Sequence, residues 1–414
     1  MISEATKRVV FISSYKPRTC GIATFVSYLI NNIRRAEKVE FESNVIAMHS
    51  GDELEYGKTV KLQISKDIKY DYTFAADYIN SSDVDVVSVQ HEFGLFGGEG
   101  GSYLSLLLER LNKPVVTTLH TVLEKPTTPY FDSLIDVCDA SDKVVVMNKR
   151  GIRMLCDIYG VPERKIKLIP HGIPDLPFTD SNFHKRKLCL SGRKTILTFG
   201  LLGKNKGIEV MLKALPPIVK TDPSILYIVL GATHPEVLRR DGQSYKLKLE
   251  RMVMDLGLQD NVVFHNRFVP DEELFSFLGA ADMYVTPYLH KEQLTSGTLA
   301  FAVGTGKAVV STPYWAAEEL LAHGRGKLVQ FGDSGNMAQA IIEILSNKSL
   351  SLKMRRRAYE YGRSMTWPKV GKAYRDIFET LVPSVQILPK LKAVPGYSKI
   401  PVYSQQRISQ SIAL

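Results

Sequence analysis

Short β-branched runs alternate with longer amphipathic segments along most of this chain, and they do so in two successive sets. The first set is RVVFISS, NVIAMHS, VDVVSVQ, PVVTTLH, KVVVMN and IKLIPHG, separated by helical patterns such as IATFVSYLINNIRRAE and SYLSLLLERLN. Strands that read as continuous apolar runs belong to a sheet buried on both faces, and strand–helix alternation makes that sheet parallel, with right-handed crossovers. The pattern breaks over 174–193, PDLPFTDSNFHKRKLCLSGR, where Pro, Ser and charge mark a linker. It then restarts with KTILTFG, ILYIVLG, NVVFHNR, MYVTPY, KAVVSTPYW and GKLVQFG, around helical segments such as GIEVMLKALPPIV and YKLKLERMVMDLGL. The predicted fold class is therefore α/β: two Rossmann-like, doubly wound domains at 1–178 and 194–365, joined by a linker at 179–193. Their ligand-binding strand ends should face each other across a cleft. A last amphipathic segment, WPKVGKAYRDIFETLV, predicts a helix within 366–383, and the tail 384–414 shows no period.

At 414 residues the chain exceeds one ordinary core, which agrees with two domains. No apolar run approaches the roughly 20 residues of a membrane span, and the start MISEATKRVVFISSY lacks the apolar centre of a signal peptide. Cys20, Cys138, Cys156 and Cys189 form no CxxC pair and read as reduced thiols of a cytoplasmic protein. The net charge of +10 gathers late, at Lys353, Arg355, Arg356, Arg357 and Arg363 and in the tail at Lys390, Lys392, Lys399 and Arg407. No RNP, helix-turn-helix or zinc-finger pattern accompanies it, so nucleic acid is not expected. An anionic membrane surface, met peripherally on its inner face, is the better candidate partner, and a solvated basic face is the plainer explanation.

The first strand is not followed by GxGxxG, and GxxxxGK[ST] is absent, which sets aside dinucleotide and P-loop readings. Chemistry gathers instead in loops after predicted strands. SSYKPRTCGIATF puts Gly21 before a helix, VQHEFGLFGGEGGSY carries His91, Glu92, Gly97 and Gly98, and TTLHT ends on His120. In the second half FGLLGKNKG offers Gly200, Lys204 and Lys206, and HKEQLTSGTLA offers Glu292, Gln293, Thr295, Ser296, Gly297 and Thr298. A Ser/Thr-rich helix start leaves N–H groups without partners and presents the positive end of the helix dipole, so it serves equally as an ordinary cap or as an anion site. Two such starts, with nearby lysines, are consistent with a cleft for a nucleoside diphosphate.

With KPRTCGIATF, TLHT, IPHGI (169–173), FGLLGKNKG, SGTLA…GKAVVSTPYWAAEEL and SMTWPKVGKAYRDIF in this order, the chain resembles the retaining glycosyltransferases of family 4, with the GT-B fold. The resemblance spans roughly 7–382 and is nearest to the mannosyltransferase-like branch. It implies a nucleotide-sugar donor, GDP-mannose favoured and UDP-sugars the alternative, used as substrate with no cofactor and no metal. The acceptor it implies is a sugar, a glycan or a lipid-linked sugar. A nucleotide-sugar epimerase and a non-catalytic nucleotide-sugar-binding protein are the rival readings. By this likeness His120, Glu292 and Gln293 act on the donor sugar. Gly21, Gly200, Lys204, Lys206 and 295–298 hold the donor, and His91, Glu92, Gly97 and Gly98 shape the acceptor side. The chain departs from the family in three places: Leu201 stands where the arginine paired with the lysine is expected, and Gln293 and Phe301 stand where two glutamates are expected. The final helix is implied to cross back onto the first domain.

Overall fold

The computed structural model describes residues 6–34, 40–51, 54–233 and 235–382. In the first half, β1 (Lys7–Ser13), β2 (Phe41–His49), β3 (Val60–Ser65), β4 (Val86–His91), β5 (Val115–Leu119), β6 (Lys143–Val146) and β7 (Ile166–Leu168) form one sheet, ordered β3-β2-β1-β4-β5-β6-β7. In the second, β8 (Lys194–Phe199), β9 (Ile225–Leu230), β10 (Val262–His265), β11 (Met283–Thr286), β12 (Ala308–Ser311) and β13 (Lys327–Leu328) are ordered β10-β9-β8-β11-β12-β13. Every strand pair is parallel. All residues of β4, β5, β9 and β12 are buried, as helices on both faces require. In each sheet the strand order reverses beside the first strand, between β1 and β4 and between β8 and β11, so each has a topological switch point where a ligand crevice opens.

Two elements differ from the sequence expectation. β3 has no counterpart among the expected strands: Val60, Leu62 and Ile64 alternate with Lys61 and Gln63, the pattern of an edge strand rather than of a run buried on both sides. The expected linker contains a helix, Ser181–Lys187, capped by the Asp180 carboxylate on the Asn182 N–H at 2.9 Å. It is anchored to the second domain where Lys185 and Ser181 meet Asp282 at 2.6 and 2.8 Å.

The helix Trp367–Leu381 returns to the first domain. Its Trp367, Val370, Tyr374, Ile377 and Phe378 share a core with Val9, Phe11, Phe25 and Phe41, and the Tyr374 hydroxyl meets Thr118 Oγ1 at 2.9 Å. At its start the chain clasps the IPHGI segment: the Ile173 N–H donates to Met365 and the Trp367 N–H to Ile173, both at 2.9 Å. The domains also meet where Asn148 donates to the Leu294 carbonyl at 2.5 Å and Arg150 to Glu318 at 3.1 Å. The basic tail 384–414 lies outside the described residues.

Candidate active site

Between the two sheets lies a cavity of about 590 Å³, bounded by the residues that follow β4, β5, β8, β9, β10 and β11. On the first-domain side, parallel register pairs His91 with Leu119, so the next residues, Glu92 and His120, stand side by side at the cleft. His120 Nε2 lies 3.0 Å from the side-chain oxygen Oε1 of Gln90, while the Gln90 side-chain nitrogen Nε2 reaches Ser88 and Thr118. That arrangement makes Nε2–H the donor and leaves Nδ1 a bare acceptor. Burial, with the neighbouring His171 and His91, pushes the His120 pKa down to about 3, so the ring is neutral at pH 7. Glu92 accepts a hydrogen bond from Thr121 Oγ1 at 2.6 Å, and burial raises its pKa.

The helix Gly21–Ile33 opens on the same wall, where Gly21 lines the cavity. Its cap is Cys20, whose Sγ accepts from the Ala23 N–H at 3.4 Å. Behind it Phe25 sets its ring edge-on to His120 and His171, with centroids 5.1 and 5.2 Å away, and Tyr28 stacks on Trp367 at 5.1 Å.

The second-domain wall is built from backbone and cations. The helix Gly297–Gly304 points its first turn into the cavity, with Gly297 and Thr298 at the lining. Gly297 is required there: a Cβ would lie 2.7 Å from His171 Nε2. The Lys206 ammonium sits 4.0 Å over the Tyr288 ring, and Tyr288 in turn contacts Thr298 at 3.2 Å, which ties the lysine to the helix start. Gly200, Gln293 and Thr295 also line the cavity, and Thr295 Oγ1 is buried without a hydrogen-bond partner.

Six residues singled out from the sequence stand elsewhere. Lys204 shares a 3-10 turn with Lys206, so the two side chains diverge; Lys204 is exposed and pairs with Asp241 at 3.4 Å. Glu292 is exposed beside the lining Gln293, because successive side chains of an extended loop face opposite ways. Ser296 does the capping, accepting from the Leu299 N–H at 3.4 Å, and borders a smaller cavity of about 260 Å³. His91 is buried between Phe93 and Phe96, both ring nitrogens unpartnered, and burial lowers its pKa to about 4. Gly97 and Gly98 do not line the cavity. Their segment folds as 3-10 turns against neighbouring helices; a Cβ on Gly97 would overlap the Lys66 carbonyl, and Gly98 has φ +78.

The structure also corrects where charge lies. Arg355 and Arg363 of the late basic run are turned inward, onto the carbonyls of Gly306 and Gly304 at 3.0 and 2.7 Å. A second cation does line the cavity, but it is Arg267, beyond β10, which forks onto Glu273. Phe301 packs against Tyr28 and His171 rather than offering a polar group. Arg267, Asp271, Tyr28, His171 and Trp367 are among the lining residues that sequence reasoning did not assign. Arg267 had a usable signal, its position at the end of the expected strand NVVFHNR. Among the described residues no group of three or more His, Cys, Asp or Glu side chains is placed to hold a metal ion, and no helix is long and apolar enough to cross a membrane.

Two parallel, doubly wound sheets with a crossing terminal helix and a ligand cleft between their strand ends define the GT-B fold. The model of "Glycosyltransferase Family 4" matches residues 20–175 and that of "Glycosyl transferases group 1" matches residues 180–365. The chain belongs to the family 4 glycosyltransferases. It is 26% identical over 322 residues to a phosphatidyl-myo-inositol mannosyltransferase of Mycolicibacterium smegmatis, covering 73% of each chain. To a D-inositol 3-phosphate glycosyltransferase of Acidothermus cellulolyticus it is 27% identical, over 70% of this chain and 67% of that one. The crystal structure of Anabaena HepE in complex with UDP shares the fold with a TM-score of 0.69, over 91% of this chain and all of that one, at 16% identity.

Proposed function

We propose that this glycosyltransferase moves a hexose, with mannose from GDP-mannose first among the candidates, onto a hydroxyl of a sugar or glycan acceptor, with retention at the anomeric carbon and without a metal ion. The observation that carries the reading is the convergence of Lys206 and the Gly297 helix start on one wall of the cavity, opposite neutral His120. The first N–H groups of that helix have no intrahelical partner, and they and Lys206 are fixed donors for a diphosphate. As the glycosidic bond breaks, negative charge grows on the leaving phosphate, and donors already in place stabilise it without reorganisation. His120 presents Nδ1 to accept a hydroxyl hydrogen bond from the donor sugar, since Gln90 occupies Nε2. Glu92 lies on the acceptor side. The acceptor attacks on the face the phosphate leaves, which retains configuration.

Kinship with a protein named as a mannosyltransferase supports GDP-mannose, and the UDP bound in HepE supports a UDP-sugar as the second reading. Calorimetric titration with GDP, UDP and ADP, with and without EDTA, separates them. GDP binding that survives EDTA is the expected result. Preference for UDP moves the donor to a UDP-sugar, and binding of none overturns the donor site. In the same assay Lys206→Ala should weaken nucleoside diphosphate binding by about 1.5–3 kcal/mol, the range for a charge-assisted hydrogen bond. Unchanged affinity would remove the diphosphate from this wall.

A further inference from the structure

We infer that the acceptor half of the cleft takes an uncharged polyhydroxy molecule, a free sugar or polyol, and discriminates against a phosphorylated one, with Glu92 reading its hydroxyls. The inference rests on the donor placement above and adds the chemical class of the acceptor.

The first-domain wall of the cavity carries one charged side chain among the described residues, and it is the Glu92 carboxylate. One of its oxygens is engaged by Thr121 at 2.6 Å. A carboxylate accepts at about four lone-pair positions, so acceptor capacity remains for a ligand. Beside it His120 offers a bare Nδ1, because Gln90 fixes the other nitrogen. Two adjacent acceptors ask for a ligand rich in donors, and neighbouring hydroxyls supply them.

The cations that a phosphate would need are elsewhere. Lys206 and Arg267 line the cavity from the second domain, the first on the Tyr288 ring and the second forked onto Glu273. Near the first-domain wall, Lys16 pairs with Asp271 at 4.0 Å, and Arg18 donates to the Met48 carbonyl at 3.3 Å. A phosphate in this half would face the Glu92 carboxylate in a site partly shielded from water, where like charges repel more strongly than in solution. The remaining surface includes three aromatic faces, with Phe25, Tyr28 and Trp367 at the lining. Such faces suit the C–H side of a pyranose or cyclitol, with a few polar groups fixing orientation.

The test compares matched pairs with the full chain: mannose against mannose 6-phosphate, and myo-inositol against myo-inositol 1-phosphate. Nucleoside diphosphate release at saturating donor gives kcat/KM for each, and saturation-transfer NMR reads acceptor binding without turnover. The neutral member should be preferred by about tenfold or more, since a like charge opposite Glu92 penalises the wrong ligand. Glu92→Gln should raise KM for the neutral acceptor by about 10- to 100-fold, the loss expected for a hydrogen bond to a charged group. Nucleotide affinity of that variant reports whether it is folded, and Thr121→Val, which frees the carboxylate from its partner, is the second variant. Equal or better use of the phosphorylated member overturns the inference, as does an unchanged acceptor KM in Glu92→Gln. Donor hydrolysis to water with neither acceptor bound also overturns it while leaving the donor reading intact. If no nucleotide binds, the donor reading fails, and the NMR pairs still decide the acceptor class.

Discussion

Where β4 and β5 end in the first domain, the cleft meets Glu92 and His120, a carboxylate and a neutral ring. Where β8, β9 and β11 lead into it from the second, it meets glycine turns, Lys206 and the open start of the Gly297 helix. The frames are alike, parallel sheets with a switch point beside the first strand, yet the chemistry is opposite. The difference is set within the few residues past each strand. The second domain works through backbone, which must come close to what it holds and so depends on glycine. The first works through side chains whose protonation is fixed by burial.

Gly231 gives the sharpest way to break that contrast. It follows β9 at φ +151, and a Cβ there would overlap the Gly200 carbonyl oxygen. Gly231→Ala should therefore cost about 3 kcal/mol or more, combining backbone strain with overlap against backbone that cannot yield. Gly21, at the turn between β1 and the first helix of the first domain, has nothing within 4 Å of its Cβ position. Gly21→Ala should stay within about 0.5 kcal/mol of the parent, as an uncrowded surface change does. Urea denaturation of the two variants measures both. Equal costs would mean that the first domain relies on its glycine turn as heavily as the second.

The same contrast explains what could be read from the sequence. The central strands were legible because burial on both faces leaves continuous β-branched runs, and β3 escaped because its apolar residues alternate with Lys61 and Gln63. Gly200, Lys206, Gln293 and the 295–298 run were legible because strand ends and helix starts are local signals. Arg267 and Asp271 follow a strand too, but no small-residue or glycine signature marks them. Trp367 could not be found this way: it reaches the cavity because a helix nearly two hundred residues beyond IPHGI folds back, which is a tertiary event. Lys204 misled for a different reason. Sequence proximity placed it with Lys206, and the 3-10 turn sends the two side chains apart.

Acid should test the buried histidines of the first domain. His91, His120 and His171 have pKa values lowered by burial to about 4, about 3 and about 4. Unfolded, they take up protons below about pH 6.5, which the folded chain refuses until near pH 4. Their contribution to stability is therefore intact above pH 6.5 and is lost as pH falls toward 4, by up to about 3 kcal/mol for a single group shifted this far. His91→Phe removes one such group together with two unpartnered nitrogens. Its stability at pH 7 should match or exceed the parent by about 1 kcal/mol, with a shallower decline between pH 6.5 and 4. Denaturation midpoints at pH 7, 6 and 5 decide it. An unaltered decline would show that His91 is protonated alike in both states and that burial does not govern this wall.

The smallest effect discriminates most finely within the second domain. Lys204 and Lys206 sit two residues apart, and only the second lines the cavity; the first is 66% exposed in an ion pair with Asp241. Exposed pairs of this kind contribute little, so Lys204→Ala should change nucleoside diphosphate affinity by no more than about 0.5 kcal/mol, against the larger loss expected for Lys206→Ala. Calorimetry on the two variants in one buffer gives the difference directly. A comparable loss at both positions would require Lys204 to leave Asp241 and swing onto the ligand, so that the donor wall would be completed by binding. Retained affinity in Lys204→Ala assigns the diphosphate to the groups that already face the cavity, Lys206 and the Gly297 helix start, and leaves Lys204 as part of the surface.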